Sequence, residues 1–271
     1  MIKIRFSLLI IVAIFSCEKK PNDHYVVIQG KKQHVLTMGA GKPVVVFICG
    51  LGGSLMGFDS VQKSLSRITK TFSYDRPGLG KSEMIDSPRT VENAVSELNQ
   101  LLHVEGMDGP VILVGHSLGG HIARYYIHLH PEHVVGMVLI DPSNEFLWDE
   151  IMNTKTAKER KDIDSMIMNF SSNAPIGAQM EMKYKYSNDS LLRTFKIRTS
   201  IPITLIESIM TDNERFMTER VVKIKMNLYR QFQKQVPQMK IISTEKSGHF
   251  IQLSEPDLVI DAIKSIVNDV R

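Results

Sequence analysis

The segment Pro43-Val44-Val45-Val46-Phe47-Ile48 is apolar at every position instead of alternating, the pattern of a strand covered on both faces. TFSYD (71–75), VILVG (111–115) and VVGMVLID (134–141) repeat this character, and IPITLIE (201–207) and MKIIST (239–244) resume it late in the chain. Helical patterns lie between them. Thr90 can cap a helix in which Val91, Val95, Leu98, Leu101 and Leu102 recur at three- and four-residue spacing until Gly106. Leu118 to His130 reads the same way and stops before Pro131, and further helices are expected from about Glu214 to Gln235 and from Pro256. Nearer the start, HYVVIQ and QHVLTMG read as a hairpin about Gly30-Lys31-Lys32. Strands and helices alternating in this way predict an α/β fold built from right-handed βαβ units, with a mostly parallel sheet and helices on both faces. Ligands of such sheets sit beyond the carboxyl ends of the strands.

With 271 residues, 43% of them hydrophobic, the chain can bury one full-sized core and a small inserted lid. Residues 25–141 and 201–271 supply that core. Residues 142–200 carry no strand candidate, and Met152, Met166, Met168, Met180 and Met182 are scattered there among charged, helix-forming residues; this is the expected cap. Phe146, Leu147 and Trp148 with those methionines could line an adaptable apolar acyl pocket or simply form the cap's own core. The net charge of +4 is small and dispersed, which argues against a nucleic-acid face.

Lys3 and Arg5 precede an apolar run from Phe6 to Phe15 that stops at Ser16-Cys17, the layout of an export signal over residues 1–17. The run is short against the roughly twenty residues of a bilayer span. Ile14-Phe15-Ser16-Cys17 resembles a bacterial lipobox, with Phe15 departing from the usual small or aliphatic residue, so Cys17 is the expected lipidation site and residues 18–24 a polar tether. A cell-envelope, membrane-anchored protein follows, facing the periplasm or the exterior; plain secretion is the alternative. Cys49 would then be the single thiol of the mature protein, leaving no intramolecular disulfide.

The chemistry centres on VILVGHSLGG, where an apolar strand runs through Gly115-His116-Ser117-Leu118-Gly119 into a helix. That is a nucleophile elbow: small residues let strand and helix approach, and the Ser117 hydroxyl projects above the sheet. A glycine-rich turn alone would give the same string, but the flanking strand and helix favour catalysis. Such a serine needs a base. His249, in Ser247-Gly248-His249-Phe250 between the last strand and the final helix, fits, whereas His116 and His121 are expected to pack or hydrogen-bond locally. His128, His130 and His133 straddle Pro131 and are not expected to share a face as metal ligands. The oxyanion needs two backbone donors, here Leu118 and, in Cys49-Gly50-Leu51-Gly52-Gly53, Leu51. Cys49 lacks an elbow and reads as a small buried residue. The turn from Tyr74 to Ser82 lacks P-loop spacing and reads as structural, with Asp75 and Arg76 pairing locally.

Together ICGLGGS, YDRPGLGKS, GHSLGG, VLIDPS and SGHFIQLSEP resemble the α/β-hydrolase superfamily along nearly the whole chain after the tether, most of all its esterase-like, signal-bearing branch. The resemblance implies an eight-stranded sheet, a lid after the sixth strand and a serine–histidine–acid triad. Cys49 stands where a histidine is common before the oxyanion glycine. The acid often follows the seventh strand in a G-x-x-D turn, but IPITLIESIMTD has Ser208 for that glycine and Asp212 one residue late. Asp141, at the end of VVGMVLID, is the other known location and is favoured over Asp212, with Glu207 third.

The expected function is hydrolysis of a carboxylic ester or related small acyl substrate, a chemistry that requires no metal or organic cofactor. Serine at position 117 disfavours aspartate-nucleophile chemistry such as dehalogenation or epoxide hydrolysis. Esterase, lipase, lactonase, aminopeptidase and carbon–carbon hydrolase remain open, since fold does not choose among them. A surface lipoprotein that kept the fold as a binding module and lost catalysis is the alternative class.

Overall fold

The computed structural model describes residues 20–197, 199–212 and 217–271. The export signal and Cys17 lie outside the described residues. Eight strands form one sheet: β1 Asn22–Ile28, β2 Lys31–Met38, β3 Val44–Ile48, β4 Thr71–Tyr74, β5 Val111–His116, β6 Val134–Ile140, β7 Ile203–Ser208 and β8 Lys240–Thr244. Their spatial order is β1-β2-β4-β3-β5-β6-β7-β8. The first two pairings in that order, β1 with β2 and β2 with β4, are antiparallel, and all later ones are parallel.

Continuous apolarity in β3 has the anticipated cause. Val44, Val46 and Ile48 face one core with helices α2 (Val91–Val104) and α3 (Leu118–Leu129), and Val45 and Phe47 face the other with α1 (Asp59–Leu65) and the C-terminal helix, residues 256–269. Each of these five residues is buried. Thr90 caps α2 by accepting a hydrogen bond from Asn93 N–H, as its position before the apolar repeat predicts.

Between β6 and β7 the chain leaves the sheet for α4 (Leu147–Asn153), α5 (Ala157–Asn173), α6 (Ile176–Lys183) and α7 (Lys185–Leu192), all helical as the composition suggests. α5 starts from a capping box of Thr156 and Glu159 and has no buried residue, so it lies over the molecule with little anchoring of its own. After β7 come α8 (Glu219–Gln235), α9 (Ile251–Ser254) and α10 (Pro256–Asp269). Among the described residues no helix is long and apolar enough to cross a membrane.

One boundary shifts. The polar stretch expected as tether is already in β1 from Asn22, because Asp23 and His24 find partners in His34 and Glu105. α8 runs from Glu219, where Thr218 supplies the cap by accepting from Val221 N–H, and the expected start at Glu214 lies outside the described residues.

Close packing around the β5–α3 junction makes a stability prediction. A Cβ on Gly119 would sit 2.0 Å from the Ile48 carbonyl oxygen, a backbone atom that cannot swing aside. Gly119→Ala should therefore lower stability by about 1–3 kcal/mol or more. Gly248→Ala, with open space at its Cβ, should stay within about 0.5 kcal/mol in urea denaturation.

Candidate active site

Strand β5 ends and α3 begins on either side of Ser117, whose φ of 51° and ψ of −119° are costly for a residue with a side chain. The surrounding backbone holds it there. Ser117 N–H donates to Ile140 O at 3.1 Å, and its carbonyl accepts from Gly120 N–H at 2.9 Å and Ser143 N–H at 3.0 Å. A Cβ at Gly115 would lie 2.5 Å from Gly119 O, so glycine is what lets strand and helix meet this closely.

His249 sits in the loop between β8 and α9. Its Nδ1 lies 2.8 Å from Asp141 Oδ2. A carboxylate only accepts, so Nδ1 carries the proton and Nε2 keeps its lone pair, the tautomer a base requires. Ser208 Oγ donates to Ser247 O at 2.6 Å, and His116 Nε2 donates to His249 O at 3.0 Å, pinning the loop from two sides. Burial, and then the neighbouring His249, push the His116 imidazole down to about 4, so this ring is neutral at neutral pH. The local hydrogen bonding expected of it is this loop contact.

Ser117 and His249 line one cavity of about 410 Å³ together with Gly50, Leu51, Phe170 and Phe250. Among the described residues no hydrogen bond joins Ser117 Oγ to the ring. Sites without substrate commonly leave that contact long and tighten it on binding.

Of the three candidate acids, Asp141 is the one that hydrogen-bonds His249. It leaves β6 with φ of 37°, and its Oδ1 accepts from Lys225 Nζ at 2.7 Å and Ser208 N–H at 3.1 Å. Burial raises this carboxyl, but the His249 hydrogen bond and the Lys225 charge outweigh it and leave the group below its ordinary 3.8. Asp212 instead accepts from Met217 N–H at 3.0 Å. Glu207, fully buried in β7, is occupied by Arg230 and Ser243, each at 2.7 Å.

Leu118 opens α3, so its N–H has no carbonyl within the helix to bond. The loop after β3 uses Gly53 N–H on Gly50 O at 3.0 Å and Gly52 N–H on Glu181 Oε2 at 3.0 Å, and Leu51 lies between these two tied points, facing the cavity. Cys49 is buried, donates its thiol to Ser54 O, and is pushed up to about 12 by burial, which suits packing and not nucleophilic attack.

Arg76 corrects an expectation. It does not pair with Asp75: its guanidinium reaches Glu181 of the cap through Nε at 2.5 Å and Nη2 at 3.1 Å, and donates to Cys49 O at 2.7 Å and Gly50 O at 2.6 Å. Asp75 serves His34 Nδ1, Leu55 N–H and Lys81 N–H at 2.7–2.9 Å. Buried charge needs several partners, and the five-donor guanidinium finds them across the loop and the cap rather than next door.

A second cavity, of about 540 Å³, opens under the cap and meets the first at Ser117 and Leu51. Leu147, Trp148, Ile151, Met168 and Met182 line it together with polar residues such as Asn144, Gln179, Lys183 and Asp189, and His121 also lies on its lining. Elsewhere, His130 and His133 stack at 5.7 Å with Glu132 beside them, closer than expected, because the 3₁₀ turn Pro131–His133 folds the chain back.

Lys225 and the pairing of Arg76 with Glu181 were not foreseen in these roles. For Lys225 a sign existed: it lies on the apolar face of α8 with Val221, Leu228, Tyr229 and Phe232, where a lone lysine demands a buried acid.

Comparison with known proteins agrees with this architecture. A family profile described as "alpha/beta hydrolase fold" matches residues 43–166. The chain is 24% identical over 282 residues to an "AB hydrolase superfamily protein" of Gibberella zeae, covering 85% of this chain and 88% of that one. It is 23% identical over 291 residues to the "Probable transporter efuK" of Hormonema carpetanum, covering 84% of this chain but 39% of that longer protein. Among solved structures, the epoxide hydrolase VrEH1 from Vigna radiata superposes with a TM-score of 0.69 at 17% identity, over 92% of this chain and 98% of that one.

Two measurements check the buried charges. Glu181→Ala strands Arg76 and should destabilise by about 3–5 kcal/mol, whereas the paired change Arg76→Met with Glu181→Leu should recover much of that. Lys225→Met should raise the Asp141 carboxyl. Because the native group lies below its ordinary 3.8, its contribution is complete above that value and is lost as pH falls through the folded one. The variant should therefore lose that acid-side slope, read by carboxyl NMR and acid unfolding.

Proposed function

We propose, from the similarity of this chain to α/β-hydrolase-fold proteins, that it is a serine hydrolase cleaving a carboxylic ester or related small acyl substrate through an acyl-enzyme. The observation that carries the reading is the His249 Nδ1–Asp141 Oδ2 bond at 2.8 Å, which leaves Nε2 unprotonated on a ring that shares a cavity with Ser117.

In this mechanism Ser117 Oγ attacks the carbonyl carbon while His249 Nε2 takes its proton. Charge gathers on the carbonyl oxygen, where the Leu118 and Leu51 N–H groups are offered. The tetrahedral species collapses, the bond to the leaving oxygen breaks, and His249 returns its proton to the departing alcohol. Water then enters, gives a proton to His249 and its oxygen to the acyl carbon, and the acid leaves as Ser117 recovers its hydrogen. Asp141, held by Lys225 and Ser208, keeps the ring in one tautomer and stabilises the imidazolium. No step calls for a metal or organic cofactor, and an elbow serine sets aside routes that need an aspartate there.

For the N-terminus, we carry the reading that residues 1–17 direct export and that Cys17 is acylated, tying the enzyme to a cell-envelope membrane. Intact mass of the mature protein should show a diacylated Cys17 as its first residue; an unmodified start elsewhere would end that reading.

A fluorophosphonate probe separates the enzyme from a fold kept only for binding: it should label the wild type and leave Ser117→Ala unlabelled. Asp141→Asn should keep the fold and lower turnover of p-nitrophenyl esters by about 10⁴-fold through the wrong tautomer. Near-normal turnover in that variant would move the acid's role to Asp212.

A further inference from the structure

Away from the reacting groups, one turn gathers ligand chemistry that the proposed hydrolysis does not use. His130, Glu132 and His133 each offer one donor atom, and these atoms lie within 4.8 Å of one another. Among the described residues no other group of three histidine, cysteine or acidic side chains meets that condition. The turn follows α3 and leads into β6, so it sits at the far end of the helix from Ser117, about 20 Å along the axis.

The local fold explains the gathering. Side chains three residues apart eclipse in a 3₁₀ turn, and here His130 caps the turn Pro131–His133 while His133 ends it. His133 N–H donates to His130 O at 3.2 Å, and the two imidazoles lie nearly parallel, 7° apart. Pro131 fixes φ between them. His130 also packs 4.9 Å from the ring of buried Tyr126, whose hydroxyl is tied to Asn99. Neither imidazole makes a side-chain hydrogen bond among the described residues, so their nitrogens are open to another ligand. His128, by contrast, stacks on Phe195 at 4.3 Å and stays out of the group.

The spacing is close to what a metal demands. Bonds of about 2.0–2.1 Å in a tetrahedron place donor atoms about 3.3 Å apart. Glu132 Oε1 and His133 Nε2 already stand at 3.5 Å. Even the widest separation in the group closes by about 1.5 Å, a side-chain rotation on a turn that reaches solvent. Two imidazoles and a carboxylate suit zinc and its d-block neighbours, whereas magnesium and calcium prefer shells of oxygen.

We propose that His130, Glu132 and His133 bind one divalent d-block ion of the zinc class, with its remaining position open to water, and that this ion clips the end of α3 to the start of β6. Ser117 precedes that helix and Asp141 follows that strand. The clip therefore stabilises the frame that carries both residues and, at that distance, takes no part in bond breaking.

The test uses the untagged full chain, treated with chelator and dialysed, with zinc chloride in isothermal titration and magnesium and calcium chloride run alongside. One zinc ion per chain should bind with low-micromolar affinity, and neither hard cation should compete at millimolar concentration. His130→Asn and His133→Asn should each weaken zinc binding by about tenfold or more. His103→Asn, which alters a histidine paired with Asp108 elsewhere, should leave the affinity unchanged. At zinc about a hundredfold above its Kd the melting temperature of the wild type should rise by about 5 °C, and the rise should vanish when both histidines are replaced. Saturation only at millimolar zinc, binding that survives in the folded double variant, a site filled equally well by magnesium or calcium, or tight binding with no rise in melting temperature would each overturn the proposal.

Discussion

A single buried guanidinium ties the sheet edge to the cap. Arg76 leaves β4 and fills its donors with two carbonyls of the loop after β3 and with the carboxylate of Glu181 in α6. That carboxylate in turn holds Gly52 N–H, next to Leu51. The loop proposed to offer an oxyanion donor is thereby clamped by Arg76 on one side and by the cap on the other. Dry charges are expensive unless every hydrogen is matched, so the clamp tolerates few geometries, and the position of the cap and the shape of the loop become one variable.

The acid–histidine pair is built on the same economy of matched donors. Asp141 has a carboxylate oxygen for His249 and another for Lys225 and Ser208 N–H. His116 and Ser208 restrain the backbone of the loop bearing the ring. The ring itself stays 45% exposed on its side chain, open to the cavity it shares with Ser117. Rigid support beneath and open space above is the arrangement expected where a reacting group must be held in place yet meet a substrate.

The cap does more than cover. Its helices α4 to α7 supply most of the apolar residues lining the larger cavity, yet α7 also brings Asp189 to 3.8 Å from the His121 ring. The space beneath the cap thus carries polar groups among its apolar walls.

Much of this was legible in the chain. Runs such as Pro43 to Ile48 and Val111 to Val114 could only be strands covered on both faces, and Gly115-His116-Ser117-Leu118-Gly119 between strand and helix marked the elbow, because these are local constraints of sterics and burial. His249 stood out because its neighbours placed it between the last strand and the last helix. The choice among Asp141, Asp212 and Glu207 was not local: it depends on where β6 and β7 end relative to the histidine loop, and only the folded register of the sheet puts Asp141 within hydrogen-bond reach. Arg76 was read as pairing with its neighbour, but its partner lies 105 residues away. Sequence alone determined the strands, the elbow and the residue types able to do chemistry; tertiary structure decided which charges meet, because desolvation makes a buried ion choose its partner by distance in space and not by distance along the chain.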